Sequence, residues 1–306
     1  MANEVEYTYA AAGTRTVQPK DGWADKIIRV SIEETPLLSR LARRGLKDIH
    51  PQIQEDDLQA IDTGNAHAEG AVAPAASSTA RSTNDNYMQT FRKTAEVTTI
   101  QANTAYYGHS GELAYQLALR GLELKRDIEA QIIGDQAQQA PTPVNGRVGK
   151  MKGMGAIITT NTDAVGDFNQ VNLEALVRAA HITSGGDPSE CWMDGTRKNA
   201  VAAWTEQVTR YTTDKATIYN NVQVFESNIG LQLNFHLHRY MPQNIAGTGA
   251  VFFALDFVKS GWELIEQVPL NVKVLPFTGG KESRQIEWVC TILCGAEKAN
   301  FAFVGV

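Results

Sequence analysis

Residues 49–86 cannot build a core of their own, and any fold proposed for this chain must carry them. Within Ala66–Ala80, seven of fifteen residues are alanine, mixed with Gly70, Pro74, Ser77, Ser78 and Thr79. So few large apolar side chains cannot offset the entropy of ordering the stretch. Loops above about 12–15 residues are uncommon in compact domains and usually serve a function. Two readings stand. One is a disordered insertion; the other is a two-stranded arm projecting from the body, its tip held by a neighbouring subunit. The return limb favours the arm, because Phe91, Lys93, Ala95, Val97 and Thr99 alternate with Thr90, Arg92, Thr94, Glu96 and Thr98 as a strand would.

Around this feature the chain reads as α+β. Residues 1–22 form an extended segment punctuated by Gly13, Pro19 and Gly22. Thr35 and Pro36 open a short helix with Leu37, Leu38, Leu41 and Ala42 on one side and Gly45 as its stop. Arg40, Arg43 and Arg44 then suit the C-terminal end of the helix dipole, and would equally suit an acidic neighbour or a nucleic-acid cargo. Ser110 is the expected N-cap of the strongest helix, in which Leu113, Leu117, Leu124, Ile128 and Ile132 fall on one stripe. Lys125 and Glu129 stand four apart on a neighbouring face. Running from Gly111 to about Gln136, the helix would be ~39 Å long at ~1.5 Å per residue. Gly121 in its interior costs up to ~1 kcal/mol, which a close helix or sheet contact would offset.

Residues 139–155 read as loop, Ile157 and Ile158 begin something buried, and helices are expected over 172–180 and 196–204. Strands are expected over 190–193, 222–225, 232–238, 251–255, 264–274 and 286–293. No internal repeat is evident, and the order is not a regular βαβ succession.

Composition excludes several classes. Lys plus Arg is 28 and Asp plus Glu is 34, a net charge of −6, which argues against a surface that coats nucleic acid while permitting a local basic patch. Three cysteines rule out a disulfide scaffold and point to a reducing compartment at synthesis. The first residues lack the pattern of a signal peptide, and no apolar run approaches the ~18 residues that a membrane helix needs.

The residues that glance at chemistry carry none. Gly108-His109-Ser110-Gly111 misses the nucleophile-elbow spacing because residue 112 is glutamate. His236 and His238 share one face of an extended run, the best metal-like pair in the chain, but zinc wants three or four ligands. Cys290 and Cys294 alternate with Ile286, Trp288 and Ile292 and, with isolated Cys191, read as small buried hydrophobes. The glycine-rich basic run Gly146–Gly155 lacks a phosphate-loop spacing and reads as a connector. The adjacent acids Glu33–Glu34 and Asp56–Asp57 read as solvated charge. No catalytic, cofactor-binding or metal residue is assigned.

Several strings, taken in order, do carry a resemblance. Ile32-Glu33-Glu34-Thr35-Pro36-Leu37, Glu69-Gly70, Asn86 with Gln89, Gly111-Glu112-Leu113-Ala114-Tyr115-Gln116 and Leu124-Lys125-Arg126-Asp127-Ile128-Glu129 come first. Tyr240-Met241-Pro242, Leu255-Asp256, Thr278-Gly279-Gly280, Glu287-Trp288 with Ile292, and Glu297-Lys298-Ala299 follow. Over about residues 12–306 the chain resembles the major capsid (major head) proteins of tailed bacteriophages, in the SU10-like branch of the HK97-like fold. Gly279-Gly280 departs from the glycine-acid pair expected there.

The resemblance implies a structural protein that forms hexamers and pentamers of an icosahedral head around double-stranded DNA, held by weak non-specific contact. It allows scaffold, portal and cement proteins as partners, and implies no cofactor, no membrane, and a place in the virion after assembly in the host cytoplasm. Its domains would be an N-terminal arm over 1–30, a short helix of the peripheral region over 31–48 and an extended loop over 49–92. A peripheral domain would span 93–154 with its spine helix at 111–136, and an axial domain 155–220. Residues 221–306 would return as strands, mainly to the peripheral domain and partly to the axial one. The competing readings are a minor virion or decoration protein, and a soluble oligomeric metal-dependent hydrolase using His236 and His238 with an acid. A decoration protein would not need the long helix and the arm together.

Overall fold

The structure is a computed structural model that describes residues 34–104, 111–164, 168–204, 224–241, 249–277 and 279–305. The arm expected over residues 1–30, the strings at Ile32-Glu33 and Thr278, and His109 and Ser110 lie outside the described residues.

Two sheets organise the chain. The first has four strands: β1 (Ala42–Gly45), β4 (Gln89–Thr98), β10 (Glu263–Val274) and β11 (Lys281–Leu293), in the order β1-β10-β11-β4. The second has six: β5 (Thr162–Ala164), β6 (Glu190–Met193), β7 (Val224–Glu226), β8 (Gln232–Leu237), β9 (Gly249–Leu255) and β12 (Phe301–Gly305), in the order β5-β12-β9-β6-β8-β7. A separate two-stranded ribbon pairs β2 (Gln52–Glu55) with β3 (Ser82–Asp85). Most returning strands thus join the six-stranded sheet; only β10 and β11 join the four-stranded one.

The long helix α3 spans Glu112–Ile133, three residues short of the expected end, because the backbone leaves the helical region at Gly134. Its N-cap is Gly111 at φ 92°, a left-handed conformation that side-chain-bearing residues seldom adopt. Leu124, Ile128, Ile132 and Ile133 are buried, whereas Leu117 is only half-buried against the same core. That core also takes in Phe91 of β4 and Ile286, Trp288 and Ile292 of β11. The alternation read in β4 holds: Phe91, Ala95 and Val97 are buried while Thr90, Arg92, Thr94 and Glu96 are exposed. β4 is a full strand of the core sheet, paired along its length with β11, and not a limb of the projecting arm.

One expected element divides. The helix α1 (Pro36–Arg40) stops five residues before Gly45, and Ala42–Gly45 continues as β1, parallel to Glu263–Glu266 of β10. Gly45 is therefore not its stop. Tertiary pairing has overridden the local helix signal.

Gly121 does not show the close approach expected to offset its cost. A Cβ added there would meet the Ile286 Cδ1 at 3.8 Å, an ordinary contact. Gly121→Ala is therefore expected to stabilise the chain by roughly 0.5–1 kcal/mol in urea unfolding, from helix propensity alone. A loss of stability would mean that the helix cannot accept even a methyl group against β11.

Candidate interaction surfaces

Beyond the β2–β3 ribbon, residues 56–81 project with no regular element except turns, every one exposed. Leu58, Ile61 and Val72 are 97%, 93% and 93% exposed, which leaves three large apolar side chains with nothing among the described residues to pack against. The two limbs are laced by polar contacts: Thr79 Oγ1 donates to the Asp57 carbonyl at 2.7 Å, Ser77 Oγ to Gln59 Oε1 at 2.8 Å, and Arg81 Nε to Asp56 Oδ2 at 3.0 Å. Asp56 and Asp57, read as solvated charge, each have a basic partner, since Arg81 pairs with Asp56 and Lys298 Nζ reaches Asp57 Oδ2 at 2.5 Å. The hydrogen bond that Lys298 donates to Asp57 is the leading cause that raises the Lys298 pKa.

The root of the projection is a polar hub. His50 stacks on Tyr87 with ring centroids 4.1 Å apart, and its Nε2 lies 2.7 Å from Asp85 Oδ2. Burial raises the Asp85 carboxyl, but the hydrogen bonds from Gln138 and His50 and the nearby Lys152 charge outweigh it and hold the group below its usual value. Next along the chain, buried Asn86 accepts from the Lys152 N–H at 2.7 Å and donates to the Ile292 carbonyl at 2.8 Å. Gln89 Oε1 accepts from the neighbouring Met151 N–H at 3.0 Å. Asn86 and Gln89 thus clamp one backbone segment to the start of β4.

A second hub lies under α3. Glu129, read with Lys125 on the face neighbouring the apolar stripe, is fully buried. Its Oε1 and Oε2 accept from the Leu37 and Leu38 N–H groups at 2.9 and 2.8 Å, so it caps α1, whose own Thr35 side chain makes no cap. His238 Nε2 stands 2.7 Å from Glu129 Oε1.

The remaining candidates resolve into packing. His236 and His238 do share a face, and both rings contact Trp192, at 4.6 and 5.9 Å between centroids. Their acids differ, however: His236 Nε2 meets Glu190 Oε2 at 2.5 Å, far from the Glu129 partner of His238 in sequence. Among the described residues no three His, Cys, Asp or Glu side chains gather as a metal site would need. Cys191, Cys290 and Cys294 are free and buried, and burial pushes all three thiols up.

The glycine-rich run 146–155 allows close backbone approach. A Cβ on Gly149 would lie 2.4 Å from the Met88 carbonyl oxygen, and one on Gly153 2.0 Å from that of Gly134. Arg40, Arg43 and Arg44 face acids of their own chain, Glu190 at 2.7 Å, Glu266 at 3.8 Å and Glu263 at 3.4 Å. Gly280, where an acid was expected, sits at φ 76° after Gly279 at φ 62°, and its carbonyl accepts from Thr99. No helix among the described residues is long and apolar enough to cross a membrane.

Comparison with known proteins agrees with this architecture. The family profile of the SU10 major capsid protein matches residues 7–306. The major capsid protein of Escherichia phage Phieco32 is 33% identical over 119 residues, which span 39% of this chain and only 34% of that relative. Among solved structures, the capsid of a native GTA particle is 14% identical with a TM-score of 0.64, covering 94% of this chain and 95% of that one. A chain from Mycobacterium phage Ogopogo is 14% identical with a TM-score of 0.60, covering 94% and 97%. The holo-SrpI encapsulin complex from Synechococcus elongatus is 11% identical with a TM-score of 0.61, covering 94% and 92%. At these identities the structural matches establish the fold.

Proposed function

The chain belongs to the SU10 major capsid protein family and has the HK97-like capsid fold, and we propose that its copies assemble into hexamers and pentamers that close as an icosahedral head around double-stranded DNA. The observation that carries this reading is the projection over residues 56–81, which exposes Leu58, Ile61 and Val72 and gains an apolar environment only against another subunit. In this reading the four-stranded sheet with α3 is the peripheral domain and the six-stranded sheet the axial one. Residues 1–30 are a tethering arm, and the extended loop, expected over residues 49–92, ends before β4 begins at Gln89.

The protein acts by self-association, without enzymatic turnover, metal or cofactor. His236, His238 and the buried cysteines are engaged in packing and paired contacts, which supports that reading. The net charge of −6 suits a wall that encloses DNA without gripping every phosphate. The shell has room for scaffold, portal and cement proteins as further partners, and the subunit passes from host cytoplasm to virion. Electron microscopy of the purified recombinant chain tests the proposal: closed shells are expected, and a product that stays monomeric under every assembly condition would overturn it.

The shell is held without Lys–Asn cross-links. Between Asp48 and Phe91 the only basic side chain apart from histidine is Arg81, whose guanidinium cannot supply the amine nucleophile. At the loop's base Lys47 or Lys93 would have to act instead, and Lys93 Nζ is paired with Asp127 Oδ2 at 2.8 Å. Mature particles run on a denaturing gel should give one band near 33.5 kDa. A ladder of covalent oligomers would contradict this.

A further inference from the structure

The four-stranded sheet has two edges, and they are built differently. On β4 the exposed positions are Thr90, Arg92, Thr94 and Glu96, polar and charged side chains that discourage a further strand. On the other side, β1 covers β10 only from Glu263 to Glu266. Among the described residues no strand pairs with the outer side of β10 beyond that point. There Leu270, Val272 and Val274 are 43%, 43% and 70% exposed, alternating on one face. Pro269, which lacks an N–H, stands just before this open segment, as proline does in edge strands.

The backbone of the segment is oriented for pairing. The Leu275 N–H donates to the Ser283 carbonyl at 3.0 Å, so residue 275 faces β11. By the alternation of an antiparallel ladder, residues 273 and 271 also face β11, and the N–H and C=O groups of Val274 and Val272 point to the open side.

We propose that this edge pairs with the same edge of a second copy of the chain, antiparallel about a two-fold axis through Val272. The inference rests on the shell reading above and names one of its subunit contacts. The segment Leu270-Asn271-Val272-Lys273-Val274 is self-complementary in that arrangement: Val272 meets Val272, Leu270 meets Val274, and Asn271 meets Lys273. The outward groups of Val272 then form a hydrogen-bonded pair with those of its counterpart, as the two-fold requires. The one charge in the segment does not oppose the contact, because Lys273 is already paired with Glu287. Glu287 also binds Arg92 at 2.7 Å, and these hydrogen bonds, Lys273 first, hold its carboxyl below the usual value.

Single cysteines placed on the edge test this in assembled full-length particles, imaged first so that failure to form shells counts against the shell reading and not against the contact. The native thiols are buried and will not compete. A thiol-to-thiol cross-linker of about 5 Å reach should join Val272→Cys subunits into dimers, the spacing of directly opposed Cβ atoms. Val274→Cys alone would put its thiols roughly 14 Å apart along the strands and should give about tenfold less dimer. Leu270→Cys combined with Val274→Cys should restore the dimer. Closed shells in which neither Val272→Cys nor the double variant cross-links, or in which Val274→Cys cross-links equally well, would overturn the contact.

Discussion

Replacing Glu129 with alanine is expected to cost the folded subunit about 3–5 kcal/mol, the largest effect of any single polar substitution in the described core. The size follows from what the carboxylate holds. It is fully buried, and removing it leaves the Leu37 and Leu38 N–H groups and the His238 ring without their acceptor. Each orphaned buried donor costs about 1–3 kcal/mol, and the helix α1, which Thr35 does not cap, loses the cap that Glu129 supplies. Glu129→Gln keeps one carbonyl acceptor and should lose roughly half as much. His238→Ala leaves both backbone bonds in place, so it should fall between the two. Urea unfolding of dissociated subunits measures all three. A Glu129→Ala loss below about 1 kcal/mol, or a larger loss for His238→Ala, would remove the carboxylate from the centre of this hub.

Glu129 also shows where a sequence reading stops. The stripe Leu124, Ile128 and Ile132 was legible because its spacing follows the helix period, whatever the partner is. Glu129 lies beside that stripe, and its burial depends on two N–H groups about ninety positions away and one imidazole beyond a hundred, which no local period encodes. The same holds for Asn86, Gln89 and Lys298. They stand in the strings that carried the family resemblance, yet their tasks, clamping residues 151–152 and tethering Asp57, come from contacts of long sequence separation. Strand alternation in β4 and the burial of Cys290 and Cys294 were legible for the opposite reason, since each is a property of one strand or of one side chain. The end of α1 was not. Leu41 and Ala42 continue a helical pattern, and only the parallel partner β10 draws Ala42–Gly45 into a strand.

Deleting Gly70–Ala80 should abolish closed shells while leaving the subunit folded. The deleted residues are exposed throughout, and the bonds lost include those of Ser77 and Thr79 to the facing limb and the turn bond from the Ala71 N–H to the Ala68 carbonyl. Surface contacts of that kind contribute little, so the unfolding free energy of the subunit should move by no more than about 0.5 kcal/mol. The ribbon remains, as do the Arg81–Asp56 and Lys298–Asp57 pairs that fix its root. What disappears is reach, together with Val72, whose side chain is 93% exposed and meets no apolar surface among the described residues of its own subunit. A point substitution separates these two losses. Val72→Asp keeps the loop's length and should leave the subunit's stability unchanged. It also places a charge where the assembled contact is apolar, at a cost of several kcal/mol per site if fully desolvated. Because that penalty recurs at every subunit of a closed shell, even a partial one should suppress assembly. Sedimentation and electron microscopy read the outcome for both variants. Shells of normal size and thermal stability from the deletion would show that the projection does not hold subunits together. Normal shells from Val72→Asp alone would confine its role to the length of the arm.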